Sequence, residues 1–300
     1  MIYTVTLNPA IDYVVHTDKI ATGKINKYSD EKVYFGGKGI NVSFVLKELG
    51  FSSKALGFIA GFTGDAIEKG VQEKGIETDF VKLEKGFSRI NFKIKSGEET
   101  ELNGKGPEIK GCDVENLFNK LDTMESGDVL VLAGSIPACL PDDIYEKILE
   151  KLSDKNIKSI VDATGELLLN VLPFRPYLIK PNNFELAEMF DTELKTNDDI
   201  IKYARALKNM GAQNVLVSMA EKGAILVDEK DEVHIYPVCK GEVKNSVGAG
   251  DSMLAGFLAG MLLKNDYNYA LKLGTASGGA TAFSDGLATR EKIDECIKQL

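Results

Sequence analysis

A turn containing two glycines leads into an apolar helix late in the chain and places a carboxylate at the start of that helix. The segment reads N-S-V-G-A-G-D-S over residues 245–252. Glycines allow the backbone to approach a ligand closely, and the unpaired N–H groups at a helix start attract anions. Gly248, Ala249 and Gly250 therefore predict an anion site. Asp251 beside them has the chemistry of a general base for a hydroxyl that attacks a phosphoryl group, and a simple helix cap is the alternative.

A second group of polar residues precedes another predicted helix near the N-terminus. In F-G-G-K-G-I-N-V, glycines surround Lys38, and Asn41 stands where the helix is expected to begin. This combination offers close access, a cation and amide donors to an anionic substrate. Asp12 follows an extended Asn-Pro segment, and its carboxylate could accept hydrogen bonds from two sugar hydroxyls. A capping asparagine and an Asx turn are the alternatives that need no ligand.

Residues 89–95 read R-I-N-F-K-I-K, a strict alternation that predicts a half-buried antiparallel strand. Arg89 and Asn91 are two positions apart and therefore share the polar face of this strand. Residues 11–35 also lack helical periodicity. Segments of about 11–35 and 87–105 are thus predicted to form a small sheet that projects from the main body as a lid. Its polar face would cover a phosphorylated sugar, and a solvated strand face is the alternative.

The rest of the chain alternates short apolar runs with amphipathic segments, which is typical of a mostly parallel sheet with helices on both faces. The runs at residues 2–7, 129–133 and 215–218 are among the predicted strands. The glycine turn at 245–252 comes late and lacks the lysine of a P-loop, and the first strand is followed by Asn-Pro rather than by a dinucleotide-binding glycine turn. A P-loop NTPase and a nicotinamide oxidoreductase are therefore disfavoured.

Composition restricts the class of partner. The 300 residues carry 36 Lys and Arg against 45 Asp and Glu, a net charge of −9, so we expect neither a general nucleic-acid binder nor a membrane-surface protein. Four scattered cysteines without a C-x-x-C and only two histidines give no zinc-site pattern and indicate a reduced, cytoplasmic protein. The apolar stretches are shorter than the roughly 18 residues of a membrane span. We expect one domain over residues 1–300.

Seven motifs resemble, in this order, those of the PfkB (ribokinase-like) family of carbohydrate kinases over essentially the whole chain. They are T-L-N-P-A-I-D (6–12), G-G-K-G-I-N-V (36–42), S-R-I-N (88–91), A-G-S-I-P (133–137), K-P-N-N-F-E (180–185), S-M-A-E-K-G (218–223) and N-S-V-G-A-G-D-S (245–252). Each motif alone is weak evidence for this family, and the seven motifs in this order are specific to it. The resemblance implies an α/β fold of the ribokinase-like three-layer αβα type, with a mostly parallel central sheet and a small β-sheet lid.

The resemblance also implies an ATP-dependent kinase that phosphorylates the free primary hydroxyl of a sugar phosphate. Asp251 would be the catalytic base, and Gly248, Ala249 and Gly250 would form the anion hole for the transferring phosphoryl group. The sugar phosphate would be held by seven residues, one of them a lysine of the lid: Asp12, Lys24, Gly37, Lys38, Asn41, Arg89 and Ser135.

The same resemblance implies sites for ATP and for two cations. The ATP site would comprise Lys180, Asn182, Ser218, Ala220, Glu221, Lys222, Gly223, Gly250 and Gly279. Asn182 and Glu185 would orient Mg²⁺ largely through water, which fits the preference of Mg²⁺ for few carboxylates, several waters and nucleotide oxygens. A monovalent cation, K⁺, would be bound by backbone carbonyl groups of Asn245, Val247, Thr281, Ser284 and Gly286. Relatives usually have glycine at the position of Ala220, and alanine tolerates a positive φ less readily.

Within the family, the pairing of E-L-N-G-K-G-P (101–107) with N-S-V-G-A-G-D favours fructose 1-phosphate as substrate, phosphorylated at its 6-hydroxyl to fructose 1,6-bisphosphate. Tagatose 6-phosphate and fructose 6-phosphate stay open as alternatives. A catalytically inactive sugar or nucleotide sensor is the rival of another class. The resemblance further implies a homodimer in which two lids cover each other's apolar faces.

Overall fold

The strands belong to a large central sheet and a smaller second sheet. The computed structural model describes the backbone of residues 1–300 and the side chains of all residues except 98. In chain order the strands are β1 (Ile2–Thr6), β2 (Ala10–His16), β3 (Asp30–Gly36), β4 (Lys54–Ala60), β5 (Glu77–Thr78), β6 (Val81–Leu83), β7 (Arg89–Ser96), β8 (Glu98–Asn103), β9 (Val129–Ala133), β10 (Lys158–Asp162), β11 (Leu178–Ile179), β12 (Asn214–Ser218), β13 (Ala224–Val227) and β14 (Val233–Tyr236).

The central sheet is parallel except at one edge. Its order is β14-β13-β12-β11-β10-β9-β1-β4-β5, with β6 also paired to β4. β13 and β14 run antiparallel to their neighbours, and the strands from β12 to β4 are mutually parallel. Every residue of β1 and β9 is buried, as expected for parallel strands that are covered on both faces. The carboxyl ends of the parallel strands consequently meet at one edge of the sheet.

Helices cover both faces of the central sheet. They are α1 (Lys38–Glu48), α2 (Gly61–Glu73), α3 (Gly111–Leu121), α4 (Ile144–Lys151), α5 (Gly165–Asn170), α6 (Asn183–Met189), α7 (Asn197–Asn209), α8 (Ala249–Lys264), α9 (Tyr267–Ala282) and α10 (Arg290–Ile297). One core contains buried side chains of α3 to α7, and a second contains side chains of α1, α8, α9 and α10. A third, smaller cluster contains Ile67 and Val71 of α2. The predicted three-layer αβα arrangement is thereby confirmed.

Helix α8 lies almost wholly inside the molecule because its sequence is apolar on every side. All of its residues from Asp251 to Met261 are buried. A helix without a polar face has to be packed against neighbours all round, and here α1, α9 and the sheet provide that packing. The rigid position of α8 fixes the place of the carboxylate in its first turn.

The second sheet has the strand order β3-β2-β7-β8. The alternating pattern of residues 89–95 predicts an antiparallel strand, and this holds for the pairing of β7 with β8 but is wrong for its pairing with β2, which is parallel. The chain between β2 and β7 makes a long crossover through the main body, so the two strands run in the same direction. Among the described residues, no helix is long and apolar enough to cross a bilayer.

Candidate active site

The carboxyl ends of neighbouring parallel strands bring together residues from distant motifs. Asp162 is the last residue of β10 and pairs with Ala133 at the end of β9. Lys180 comes directly after β11, and Asn182 forms a β-bridge with Ser218 at the end of β12. In open α/β sheets, ligands bind in the crevice outside these strand ends. The edge is therefore the candidate site.

The first turn of α8 presents Asp251 to this edge. Gly248 precedes the helix with a φ of 79°, and a Cβ at this position would lie 2.6 Å from Leu287, so the turn requires glycine. Asp251 is 6% exposed, and its Oδ2 accepts a hydrogen bond from Asn41 Nδ2 at 2.8 Å. The N–H of Ala249 donates to the carbonyl oxygen of Ser246 at 3.2 Å, whereas the next N–H groups of the first turn, of Gly250 and Asp251, lack partners within the helix and suit an anion.

The position of Asn41 differs from the sequence-based expectation that it opens its helix. α1 begins at Lys38, after Gly37 with a φ of 127°, so Asn41 lies within the first turn and does not cap it. A Cβ on Gly37 would collide with the side chain of Thr6, which explains why the turn needs glycine. From this position the amide of Asn41 contacts Asp251.

Two lysines approach the buried carboxylate of Asp162. Lys38 Nζ donates a hydrogen bond to Oδ1 at 3.1 Å. Lys180 Nζ lies 3.0 Å from Oδ2, but away from the direction that a hydrogen bond requires, so this contact is an ion pair only. A Cβ on Gly250 would lie 3.2 Å from Lys180 Nζ, which places this ammonium group against the glycine turn that leads into α8.

The two aspartates of the site differ in pKa. Burial, and after it the charge of Asp162, raises the pKa of Asp251 to about 6. Burial acts on Asp162 in the same direction, but Lys180 and Lys38 outweigh it and lower the pKa of Asp162. Burial disfavours the ammonium form of Lys38, yet Asp162 and Asp251 together raise the pKa of this lysine. At neutral pH Asp251 is mostly ionised and more basic than an ordinary aspartate, as a general base should be.

Asp12 is fixed from two sides by the second sheet. Its Oδ1 accepts a hydrogen bond from Asn91 Nδ2 at 2.8 Å, and its Oδ2 lies 3.9 Å from Lys93 Nζ. A Cβ on Gly36 would lie 3.8 Å from Asp12 Oδ2 and 3.5 Å from Asn41 Oδ1, so these two polar groups flank a bare stretch of backbone. Such a pair of oxygens in a fixed position can accept hydrogen bonds from sugar hydroxyls.

Two cavities contain most of the predicted sugar-phosphate residues. The smaller, of about 230 Å³, is lined by Gly37, Lys38, Arg89 and Ser135. The larger, of about 550 Å³, is lined by Asp12 and Asn41. Lys24 is exposed in the connection between β2 and β3 and lines neither of these cavities. Six of the seven predicted residues are thus brought to two cavities, and Lys24 is not.

Arg89 stands at the wall of the smaller cavity. Its Nε donates a hydrogen bond to the carbonyl oxygen of Asn8 at 3.1 Å, which holds the guanidinium group in place. Burial lowers the pKa of Arg89, but an arginine remains charged at any physiological pH. The guanidinium and the Lys38 ammonium are the two cations of this cavity, and they suit a phosphate group.

Asn182 and Glu185 form two reciprocal hydrogen bonds between side chain and backbone at the start of α6. Asn182 Oδ1 accepts a hydrogen bond from the N–H of Glu185, and Glu185 Oε2 accepts one from the N–H of Asn182, both at 2.8 Å. This capping box leaves Oε1 of Glu185 outside the pair. One carboxylate beside a binding edge for phosphates fits Mg²⁺, which completes its coordination with water and nucleotide oxygens.

Residues 218–223 make a sharp turn at the end of β12. Ala220 has a φ of 48°, in the left-handed region, which costs a residue other than glycine about 1–2 kcal/mol. Gly223 has a φ of 88°, and a Cβ there would collide with the carbonyl oxygen of Tyr236. Glu221 and Lys222 are exposed in the same turn. The predicted role of these residues in binding ATP stays a prediction.

Gly279 is surrounded by protein rather than by open space. A Cβ on Gly279 would collide with Cys239 Sγ. The packing of this cysteine therefore already explains why α9 has glycine at this point, and the predicted contact with adenine stays a prediction.

The two loops with the predicted carbonyl ligands of K⁺ lie side by side. The N–H of Asn245 donates to the carbonyl oxygen of Ala282 at 3.2 Å, and its side chain donates to the carbonyl oxygen of Asp285 at 3.3 Å. Val247 and Gly286, from opposite loops, both line the larger cavity. Thr281 lies in the last turn of α9, and Ser284 lies in the loop that follows this helix. Cation binding by these groups stays a prediction.

Sequence reasoning missed Asp162 and Lys93. Asp162 ends a predicted strand, and the rule that ligands bind at carboxyl ends of parallel strands was the signal that pointed to it. Lys93 follows Asn91 by two positions and so shares its face, but a lysine in an alternating strand looks like any solvated residue. Only the fold reveals that its side chain is 10% exposed and that its ammonium group lies 3.4 Å from Glu101 Oε1 and 3.9 Å from Asp12 Oδ2.

Known proteins are similar over the whole chain. The pfkB family carbohydrate kinase model matches residues 4–293. A 1-phosphofructokinase of Bacillus subtilis is 45% identical over 300 residues, which cover 100% of this chain and 98% of that protein. A D-tagatose-1-phosphate kinase of Bacillus licheniformis is 39% identical over 301 residues, covering 100% and 98%.

A solved structure has the same fold. The crystal structure of phosphofructokinase-2 from Escherichia coli in complex with fructose-6-phosphate has a TM-score of 0.91 and 27% identity, covering 99% of this chain and 98% of that one. The matches extend over both sheets and over every motif of the site. The chain belongs to the pfkB family of carbohydrate kinases.

Proposed function

We propose that the protein transfers the γ-phosphoryl group of ATP to the free primary hydroxyl of a ketose phosphate, with Asp251 as the general base. One observation carries this proposal. Asp251 is a buried carboxylate with a pKa raised to about 6, it is held by Asn41, and it stands at the glycine-bounded start of α8. A group of this pKa is ionised at pH 7 and yet basic enough to receive a hydroxyl proton.

The chemistry requires one proton transfer and one phosphoryl transfer. The acceptor hydroxyl gives its proton to Asp251 and forms a bond to the γ-phosphorus, while the bond from that phosphorus to the bridging oxygen of ADP breaks. N–H groups of Gly248, Ala249 and Gly250 and the ammonium of Lys180 would stabilise the charge on the moving group. Asn41 fixes Oδ2 of Asp251, so Oδ1 is the oxygen that would take the proton.

The acceptor would be held at its hydroxyls and at its phosphate separately. Asp12, fixed by Asn91, would bind hydroxyls of the sugar. Lys38, Arg89 and Ser135 of the smaller cavity would bind the phosphate. The second sheet would act as a lid whose closure excludes water, which otherwise competes as the nucleophile, and Lys24 would reach the phosphate only after such a movement.

Mg²⁺ and K⁺ are the cations that we propose for this reaction. Asn182 and Glu185 would orient Mg²⁺ through water, and the ion would supply charge neutralisation at the phosphates of ATP. Carbonyl groups of the loops around Asn245 and Ser284 would hold K⁺. A crystal structure of the E. coli phosphofructokinase-2 in complex with potassium, 27% identical to this chain, supports the second assignment.

We propose fructose 1-phosphate as the substrate and fructose 1,6-bisphosphate as the product. The relative with 45% identity is named for this activity. D-tagatose 1-phosphate is a specific second candidate, because a relative with 39% identity is named for it and because the two sugars differ only in the configuration of one carbon. Fructose 6-phosphate, which occupies the E. coli structure, and tagatose 6-phosphate carry their phosphate at the other end.

A coupled assay of ADP release with these four sugar phosphates tests the proposal. We expect the highest kcat/KM with fructose 1-phosphate. A higher kcat/KM with tagatose 1-phosphate would replace the substrate but keep the end that carries the phosphate. ADP release with neither 1-phosphate would contradict the proposed acceptor, and the absence of ADP release with all four would favour the inactive sensor.

We further propose a homodimer formed through the second sheets. One cross-strand row of this sheet carries Val33, Phe92 and Leu102, which are 47%, 43% and 60% exposed. The Phe92 ring lies 5.7 Å from that of Tyr13, so the apolar surface is continuous across two strands.

Light scattering tests the dimer. The wild type should have twice the mass of one chain, and Leu102→Asp should be a monomer. A wild-type monomer at micromolar concentration would contradict the dimer.

A further inference from the structure

Asp162 is the buried charge of the site that has no part in the reaction described so far. It is 1% exposed at the end of β10. Its two oxygens face different lysines, Lys38 at 3.1 Å and Lys180 at 3.0 Å. Oδ2 is nevertheless without a properly directed hydrogen bond among the described residues. Burying a carboxylate is costly even when it is paired with cations, so a charge in this position calls for an explanation.

The two lysines belong to opposite ends of the transfer reaction. Lys38 is the first residue of α1 and lines the cavity that suits the acceptor's phosphate. Lys180 lies against Gly250 at the start of α8, where the donor's phosphates would be. Asp162 stands between them and holds each ammonium group on its own side. A single carboxylate thus fixes one cation on the acceptor side and one cation on the donor side of the site.

The charge of Asp162 also acts on Asp251. Two ammonium groups near a general base stabilise its ionised form and so make it a weaker base. The negative charge of Asp162 offsets them, and it is the largest cause after burial that raises the pKa of Asp251. Other groups face this cluster as well: the Tyr145 hydroxyl donates to the carbonyl oxygen of Gly134 at 3.1 Å, and Glu185 contributes a further negative charge.

We propose that Asp162 is a positioning residue of the transfer site, which holds Lys38 on the side of the sugar phosphate and Lys180 on the side of ATP and offsets their charge beside the general base. This inference rests on the proposed kinase function. It assigns Asp162 neither a contact with a substrate nor the transfer of a proton.

The isosteric variant Asp162→Asn tests the proposal, because it removes the charge and keeps the shape. We expect the acid limb of kcat against pH to move to lower pH by about one unit or more, since two ammonium groups then face Asp251 without an offset. KM should rise for both ATP and the sugar phosphate, because both lysines lose their common anchor. A role in folding alone would reduce the yield of active enzyme but leave the pH limb in place.

A charge-matched double variant separates the offset from other effects. Lys38→Met combined with Asp162→Asn removes one positive and one negative charge, so the net charge around Asp251 is that of the wild type. The acid limb should return toward the wild-type position, although KM for the sugar phosphate stays high. If Asp162→Asn fails to fold, Lys38→Met alone decides, because loss of one cation should move the limb to higher pH. A limb that stays in place in these variants overturns the proposal.

A second readout is independent of the proposed activity. In unliganded protein labelled with ¹³C-aspartate, the carboxyl resonance that is missing in Asp251→Asn identifies Asp251. Its titration midpoint should fall in Asp162→Asn and rise in Lys38→Met. If the wild type phosphorylates no sugar phosphate, the proposed function fails, and this titration still decides whether Asp162 offsets the lysines.

Asp228→Asn is the matched control. Asp228 is also 1% exposed and also has a basic partner, His234, whose Nε2 lies 2.9 Å from its Oδ2. It follows β13 at the opposite edge of the sheet, because β13 runs antiparallel to β12. We expect this variant to lose stability without a shift of the acid limb or of the Asp251 titration. An equal shift in this control would overturn the assignment to Asp162.

Discussion

The end of β10 and the start of α8 each place a buried aspartate at the same edge of the central sheet, and the two carboxylates have opposite properties. Asp162 lies between two ammonium groups, and its pKa is lowered. Asp251 has one amide donor, Asn41, and burial raises its pKa to about 6. The same side chain is therefore a fixed charge in one place and a proton acceptor in the other.

The difference shows how the fold divides two tasks between identical groups. A carboxylate that is paired with cations is stable and unreactive, because protonation would break the ion pairs. A carboxylate that is buried beside another negative charge is destabilised in its ionised form and gains by taking up a proton. Functional sites commonly hold titratable groups whose surroundings separate their pKa values in this way.

The largest effect on stability should follow from Asp162→Asn. Breaking a buried ion pair costs about 3–5 kcal/mol, and because the Lys38 side chain is 38% exposed we expect the lower part of this range. The folded-state pKa of Asp162 is lowered, so its contribution is present above the unfolded value and is lost as the pH falls through the folded one. The loss in the free energy of unfolding should thus be full at pH 7 and shrink below about pH 4.

Urea unfolding of both proteins between pH 3 and pH 8 measures this loss. If Asp162→Asn and the wild type have the same free energy of unfolding at pH 7, the ion pairs of Asp162 with the two lysines do not stabilise the protein. The contrast drawn between Asp162 and Asp251 would then be wrong.

Asp251→Asn should change stability in the opposite direction. The folded-state pKa of about 6 lies above the unfolded value, so ionisation of Asp251 destabilises the native state as the pH rises through this interval. A shift of about two units corresponds to about 3 kcal/mol at most. We expect the variant to be more stable than the wild type above pH 6 and equal to it below about pH 4.

Thermal unfolding at pH 5 and pH 8 checks the sign. A variant that is less stable at pH 8 would contradict the raised pKa of Asp251 and with it the contrast between the two aspartates.

The two lysines should divide their effects between the substrates. Loss of a hydrogen bond or ion pair to a charged group costs about 1.5–3 kcal/mol, so we expect KM to rise about 10- to 100-fold. Lys38→Met should raise KM for the sugar phosphate, and Lys180→Met should raise KM for ATP. Steady-state kinetics with each substrate varied in turn would measure KM for ATP and KM for the sugar phosphate separately in each variant. An unchanged KM for the sugar phosphate in Lys38→Met would remove Lys38 from the phosphate site.

Sequence patterns predict the central sheet better than the contacts within the site. Apolar runs such as residues 129–133 are buried strands because no other arrangement covers them, and the glycine turn before Asp251 marks a helix start by its composition alone. The parallel pairing of β2 with β7 depends on the path of the chain between them, which alternation in one strand does not record. The alternating pattern of residues 89–95 predicts a strand, but it does not predict the strand with which β7 pairs.

The partners of Asp251 and Asp162 depend on contacts between residues far apart in the chain. Asn41 and Asp251 are 210 positions apart, and Lys38 and Asp162 are 124 positions apart. Motif order predicts functional roles for Asn41, Lys38 and Lys180, but only the folded chain shows which group each one contacts. Asp162 has no motif of its own and becomes visible only through its two lysines.

The turnover of Asp251→Asn at saturating ATP and sugar phosphate is the most direct test of the account. General-base catalysis contributes roughly 10²–10⁴ in rate, so we expect a folded variant whose kcat is lower by at least about 10². A folded variant with near-normal kcat would show that another group takes the proton of the acceptor hydroxyl, and the assignment of Asp251 as the base would be wrong.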